Sequence, residues 1–104
     1  MSSEYRLHPE VASDLFEIWS YIAADNREAA DRVESEILEV FEELVQFPER
    51  GHHRPDLTSH ALRFWRVRKY LIAYAPAEHP LLIVAVLHGM RSPRIMSTIL
   101  QDRD

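Results

Sequence analysis

Cysteine is absent from this 104-residue chain. That single absence removes disulfides, thiol nucleophiles and cysteine-ligated zinc together, and it agrees with an expected cytoplasmic setting. Glycine occurs only at Gly51 and Gly89. Neither opens a glycine-rich loop behind a strand, so phosphate-cradling nucleotide sites have no candidate. There is no G-x-S-x-G elbow, and the adjacent Ser59 and His60 have no evident acid to complete a triad. Long apolar runs are also missing. The longest, Leu81 to Leu87, falls far short of the roughly 20 residues that cross a bilayer and reads as a buried strand. The first residues, MSSEYRLHPEV, place no apolar run behind a basic start, so no secretory signal is expected. No segment is low-complexity, which leaves no room for a long disordered linker.

What is present suits one domain spanning residues 1–104. A chain of this size buries roughly 65% of its unfolded surface without a metal or disulfide staple. The net charge is −5, but the two signs are segregated. Through His60 there are fourteen acidic residues and five arginines; from Ala61 onward seven cations, Arg63, Arg66, Arg68, Lys69, Arg91, Arg94 and Arg103, face three acids. An acidic partner is therefore expected on the later half, and a protein that coats nucleic acid with its whole surface is not.

Hydrophobic spacing orders the chain. Tyr5 to His8 suits a short first strand, and Pro9 suits the first turn of a helix. Val11, Leu15, Ile18 and Ile22, with Trp19 beside them, mark one helical face. Asp25 to Glu28 reads as a turn and capping box, with Glu28 three residues after Asp25. A second helix carries Ala30, Val33, Ile37, Val40 and Leu44 on its stripe and ends near Phe47-Pro48. So short a turn makes the two helices an antiparallel hairpin. His52 to His60 reads as a loop. After it the period becomes two: Leu62 to Val67, a turn at Arg68-Lys69, Tyr70 to Ala75, a turn from Pro76 to Pro80, then Leu81 to Leu87. Tight connections make these three strands antiparallel neighbours. Ser92-Pro93 opens a short last helix bearing Ile95, Met96, Ile99 and Leu100. The fold class is thus α+β: an N-terminal strand and helical hairpin on one face of an antiparallel β-meander, with a short C-terminal helix. The last strand is apolar on both faces, and so short a tail leaves part of the second face open. An apolar groove rimmed by arginines is the expected result.

The residues able to carry chemistry are Arg63, Tyr74, His88, Arg91 and Arg94, expected to converge at one end or one face of the sheet. Arginines beside a tyrosine and a histidine suit RNA phosphate binding and acid–base work near neutral pH. In the structural alternative, Arg63 and Arg91 pair with helix carboxylates or cap carbonyls while Tyr74 packs beneath the helices. His52, His53 and His60 share one loop with Asp56 as the only nearby acid, and neither a metal site nor a cofactor is expected there.

The order of several short stretches resembles the RelE/ParE superfamily of type II toxin–antitoxin modules, closest to the ParE (plasmid stabilisation) branch. They are Ala12 to Ile22 with Asp25-Asn26, Ala29-Ala30 with Arg32, Phe47-Pro48-Glu49-Arg50-Gly51, Leu62-Arg63, Tyr70-Leu71-Ile72-Ala73-Tyr74, and Val86-Leu87-His88-Gly89-Met90-Arg91. The resemblance implies a toxin held inactive in a hetero-oligomer by a ParD-like, DNA-binding antitoxin. ParE-like members poison DNA gyrase, whereas RelE-like members cut mRNA on the ribosome. The antitoxin- and target-binding surface is then expected to use Arg63, Trp65, Tyr74, His88, Arg91, Arg94, Ile95 and Ile99, with no membrane partner and no sequence-specific nucleic-acid binding by the chain alone. The mRNA-cutting alternative would draw on Arg63, His88 and Arg91, and a third reading is a degenerate member that only binds its antitoxin. No tyrosine follows Tyr74, and Arg91-Ser92 stands where the family commonly has Arg-Asp. A net acidic domain is poorly suited to an anionic ribosome surface, so the gyrase-directed branch is the expectation.

Overall fold

In the computed structural model, which describes residues 5–103, the elements run β1 (Tyr5–Leu7), α1 (Val11–Ala23), α2 (Arg27–Gln46), β2 (Arg63–Val67), β3 (Tyr70–Ala75), β4 (Leu81–His88) and α3 (Pro93–Asp102). The sheet order is β1-β4-β3-β2. The meander is antiparallel as expected, whereas β1 joins β4 in parallel, Tyr5 opposite Leu81 and Leu7 opposite Ile83. The fold is the α+β arrangement read from the sequence, on a mixed sheet.

Both helix starts differ from the sequence reading by a residue. Pro9 lies just before the N-cap of α1 rather than in its first turn; Glu10 holds the cap, and its N–H is taken by Nδ1 of His8 at 3.1 Å. At α2 the cap is Asn26, not Asp25. The Asp25 N–H still bonds the Ile22 carbonyl at the exit of α1, while extended Asn26 accepts from the Ala29 N–H at 3.0 Å. A capping side chain needs that extended backbone to reach back over the first turn. The buried stripe of α2 is Ala30, Val33, Ile37, Phe41 and Leu44, so Phe41 takes the core place that the spacing gave to Val40, which is only partly buried.

The sheet separates two apolar layers. Val11, Ile37, Phe41 and Leu44 of the hairpin pack with Tyr70, Ile72, Tyr74, Leu81, Ile83 and Val86. On the far face Phe64, Leu71, Ala73, Val84, Ala85 and Leu87 pack with Leu57, Met96 and Leu100. A bulge makes this division possible. Ala73 faces Ala85 but Tyr74 faces Ile83, leaving Val84 extra. One inserted residue reverses the inward parity of a strand, so Leu81 and Ile83 share the hairpin face with Val86, not with Ala85 and Leu87.

The far face is not the open groove expected from a short tail. Met96 and Leu100 of α3 and Leu57 of the preceding loop close over it, and Leu71, Ala73, Ala85 and Leu87 are all buried. The short helix is the one read from the sequence; what closes the face beside it is the 52–60 loop, whose Leu57 the sequence reading left out of the core.

Candidate cleft at the open edge of β4

The open part of the molecule lies elsewhere. β1 pairs with β4 only as far as Ile83, so the later half of β4 has no strand on its outer edge among the described residues. There α1 stands over one face of the sheet and α3 over the other. Between them is a cleft of about 580 Å³, with Glu10, Glu17, Ile18 and Tyr21 on the α1 side, Arg91 and Ile99 on the α3 side, and Tyr70, Val86 and His88 below.

Its inner end is held by an ion pair. Arg103 donates from both terminal nitrogens to the Asp14 carboxylate, at 2.6 and 2.7 Å, and from Nη1 to the Val84 carbonyl at 3.1 Å. Asp14 Oδ2 also accepts the Val86 N–H at 3.0 Å. The two side chains keep only 10% and 13% of their surface exposed. A guanidinium already cationic across the physiological range is held further in that form by the carboxylate.

Towards the outer end, His88 Nδ1 accepts the Met90 N–H at 3.2 Å, and Nε2 has no hydrogen-bond partner among the described residues. The Tyr70 ring meets the imidazole edge-on at 5.5 Å. Burial pushes the Tyr70 hydroxyl above the usual tyrosine range, and neighbouring Tyr21 adds to it while Arg68 opposes it. Tyr21 itself is 79% exposed. The cleft therefore presents the His88 imidazole, the Tyr70 phenol and the Arg91 guanidinium together with the Glu10 and Glu17 carboxylates and the Tyr21 phenol of the α1 side.

Of the sequence-predicted residues, His88, Arg91 and Ile99 line this cleft. Arg63, Trp65 and Tyr74 do not. Arg63 donates to the carbonyls of Gly51 at 2.6 Å and Glu49 at 3.2 Å and pairs with the Glu49 carboxylate at 2.8 Å. Tyr74 is wholly buried; its hydroxyl donates to the Pro48 carbonyl and accepts the Gly51 N–H, each at 2.8 Å. Burial raises the Tyr74 pKa. Trp65 is half-buried between the Arg50 guanidinium, 5.4 Å from its ring centre, and the stacked His52 ring. Arg94 and Ile95 are exposed on α3 and do not line the cleft.

The expected convergence of Arg63, Tyr74, His88, Arg91 and Arg94 is thus not found. The register explains it: His88 faces Tyr70 at one end of β3 and Arg63 faces Tyr74 at the other. Four strand residues separate those rungs by about 13 Å. Sequence reasoning passed over Asp14, Glu17, Tyr21, Tyr70 and Arg103 as site residues. Asp14 left a signal, a carboxylate inside the Val11–Leu15–Ile18 stripe; Arg103 left none.

Comparison with known proteins agrees with this architecture. The family described as ParE toxin of type II toxin–antitoxin system, parDE, matches residues 5–93. Toxin ParE2 of Mycobacterium tuberculosis, in each of two strains, is 27% identical over 104 residues, covering 99% of this chain and 97% of the relative. The matched stretch carries every strand and both helices of the hairpin, so the chain belongs to the ParE toxin family of type II toxin–antitoxin systems.

Proposed function

We propose that this toxin is neutralised by a ParD-like antitoxin in the cytoplasm and acts by docking on DNA gyrase and stabilising its cleaved complex, with no bond-making chemistry of its own. Family membership implies a cognate antitoxin as partner. The observation that carries the choice of a docking mechanism is the dispersal of the nuclease candidates. Arg63 is committed to Glu49 and Gly51, a strand's length from His88 and Arg91. Catalytic groups must lie within hydrogen-bond reach of one reacting centre, and Arg63 does not share one with His88. The docking surface on this reading is the cleft with His88, Arg91 and Ile99, extended along α3 by exposed Arg94 and Ile95.

The test uses purified protein, gyrase and supercoiled plasmid. Cleaved DNA should accumulate and supercoiling should fall, and the antitoxin encoded in the neighbouring reading frame should restore both. Untouched supercoiling without cleaved DNA would reject the gyrase assignment. Codon-positioned cuts in primer extension on translated mRNA would replace it with the ribosome-dependent nuclease.

A further inference from the structure

Most arginines of this chain are already committed. Arg6, Arg50, Arg54, Arg63, Arg68 and Arg103 each pair with a carboxylate, and Arg27 lies over the Trp19 ring. Arg66, Lys69 and Arg94 are exposed and pair with no carboxylate among the described residues. These three cations gather at one end of the sheet. The Arg68-Lys69 turn joins β2 to β3 there, and the Gly89 N–H bonds the Lys69 carbonyl at 2.8 Å. Arg94 lies in the first turn of α3, five residues beyond Gly89. Arg66, two positions from Phe64, shares the α3 face of the sheet with it.

Arg66 is held in place. Its guanidinium lies against Gly89, where a Cβ would stand 3.3 Å from Nη1 and 3.4 Å from Nη2. Nη1 donates weakly to the Arg68 carbonyl at 3.4 Å, and the other N–H groups of the fork have no partner among the described residues. A planar fork seated in this way meets a phosphate with less loss of freedom than a flexible side chain. Arg68, with a φ of 55°, turns the other way and takes both oxygens of Glu36 on α2 at 2.7 Å each. The carboxylate that α2 brings to this end is thereby used. Glu78 sits in the β3–β4 turn at the opposite end, paired with Arg6. Asp102 closes α3, eight residues and about 12 Å along the helix from Arg94.

We propose that this end of the sheet binds the phosphate backbone of duplex DNA without reading its sequence. The patch offers charge and N–H donors rather than a groove. Arg66, Lys69 and Arg94 stand outside the cleft, and Met96, Leu100 and Leu57 close the apolar face beside them. An acidic peptide held on a protein surface needs main-chain bonds or side-chain pockets besides charge. A duplex needs neither, because its phosphates form a regular array with a charge about every 3.4 Å of axis on each strand. The net charge of −5 does not oppose a contact on one side. The excess acids lie on the helical hairpin across the sheet, and exposed charges farther apart than about 8 Å are largely screened at physiological salt. DNA contact does not depend on the gyrase reading; where that reading holds, the duplex is the one gyrase carries, since Arg94 borders both surfaces.

Fluorescence anisotropy of a labelled random-sequence duplex, titrated with the full chain, tests this. Binding should weaken about fortyfold between about 50 and about 200 mM salt, as three phosphate contacts with a slope of about −0.9 each require. Arg66→Gln, Lys69→Gln and Arg94→Gln should each cut that ratio to about twelvefold, evenly across sequences. Arg6→Gln changes the net charge equally at the other end of the sheet and should keep the ratio near about fortyfold. Absence of binding at about 50 mM salt overturns the proposal. So does a loss in Arg6→Gln equal to that in Arg66→Gln. Polyglutamate that displaces the duplex at equal charge assigns the patch to an acidic protein segment and overturns it as well. Each of these results leaves the gyrase assignment standing, whereas duplex binding by a chain that leaves supercoiling untouched rejects gyrase and keeps the patch.

Discussion

A single hydroxyl shows how a residue that looks chemical serves structure. Tyr74 is fully buried, and its hydroxyl joins the Pro48 carbonyl to the Gly51 N–H, closing the chain after α2 onto the sheet. A Cβ on Gly51 would stand 2.6 Å from that hydroxyl and 2.9 Å from the Phe64 carbonyl, so the loop can approach this closely only as glycine. Tyr74→Phe leaves a donor and an acceptor unsatisfied and should lower unfolding stability by about 1–3 kcal/mol in urea titration. The same hydroxyl sets a pH dependence. Burial raises its pKa in the folded state above the ordinary tyrosine value, with the Gly51 bond opposing. Its contribution is therefore complete below about pH 10, the unfolded value, and is lost as pH rises through the folded one. The wild-type melting temperature should fall more steeply above about pH 10 than that of Tyr74→Phe. Strand alternation in the sequence placed Tyr74 on a face of the sheet; only the path of the 47–51 segment decided that its hydroxyl never reaches solvent.

Among the elements, boundaries were the least legible feature, and for a physical reason. Asp25 and Asn26 are both good capping residues, and nothing local separates them. The choice falls to Asn26 because its backbone is the extended one, which lets its side chain reach the Ala29 N–H. Asn26→Ala should cost about 1 kcal/mol, whereas Asp25→Ala should stay within about 0.5 kcal/mol, measured by thermal unfolding. The swap of Phe41 for Val40 and the bulge at Val84 have a similar origin. Periodicity gives the direction of a stripe, while the neighbours that it meets decide which of two adjacent apolar residues enters. α3 belongs to this scale too: its Ser92 cap, bonded to the Ile95 N–H at 3.3 Å, and Pro93 behind it stand where the sequence placed them. What the sequence withheld was the area α3 covers.

Across the whole molecule, Asp14 and Arg103 tie the first helix, the last residues and the middle of the sheet into one unit. Removing one partner of an enclosed ion pair leaves the other charge uncompensated, which costs more than the pair contributes. Asp14→Asn, which retains an acceptor for the Val86 N–H, should lose about 2–3 kcal/mol in urea titration, less than a fully enclosed pair because both side chains keep some contact with water. A double-mutant cycle of Asp14→Ala and Arg103→Ala should show a coupling above about 1 kcal/mol; costs that simply add would mean the two act independently. The same charges define the surface. The acidic hairpin and the basic later half, segregated in the sequence, meet across the cleft with Glu10 and Glu17 on one wall and Arg91 on the other.

The sequence by itself determined the elements, their order, the antiparallel meander and the family, because each rests on spacing within a short window or on the order of short matched stretches. It also determined the uneven distribution of charge. The parallel seat of β1, the bulge, the burial of Tyr74 and the separation of Arg63 from His88 were decided by the tertiary structure. Each depends on which rung faces which across residues far apart in the chain, and a one-residue shift in register exchanges the inside for the outside. The cleft belongs to this second kind. It exists because β1 pairs with β4 only as far as Ile83 while β4 continues, a difference of length that becomes an open edge only when the two strands lie side by side.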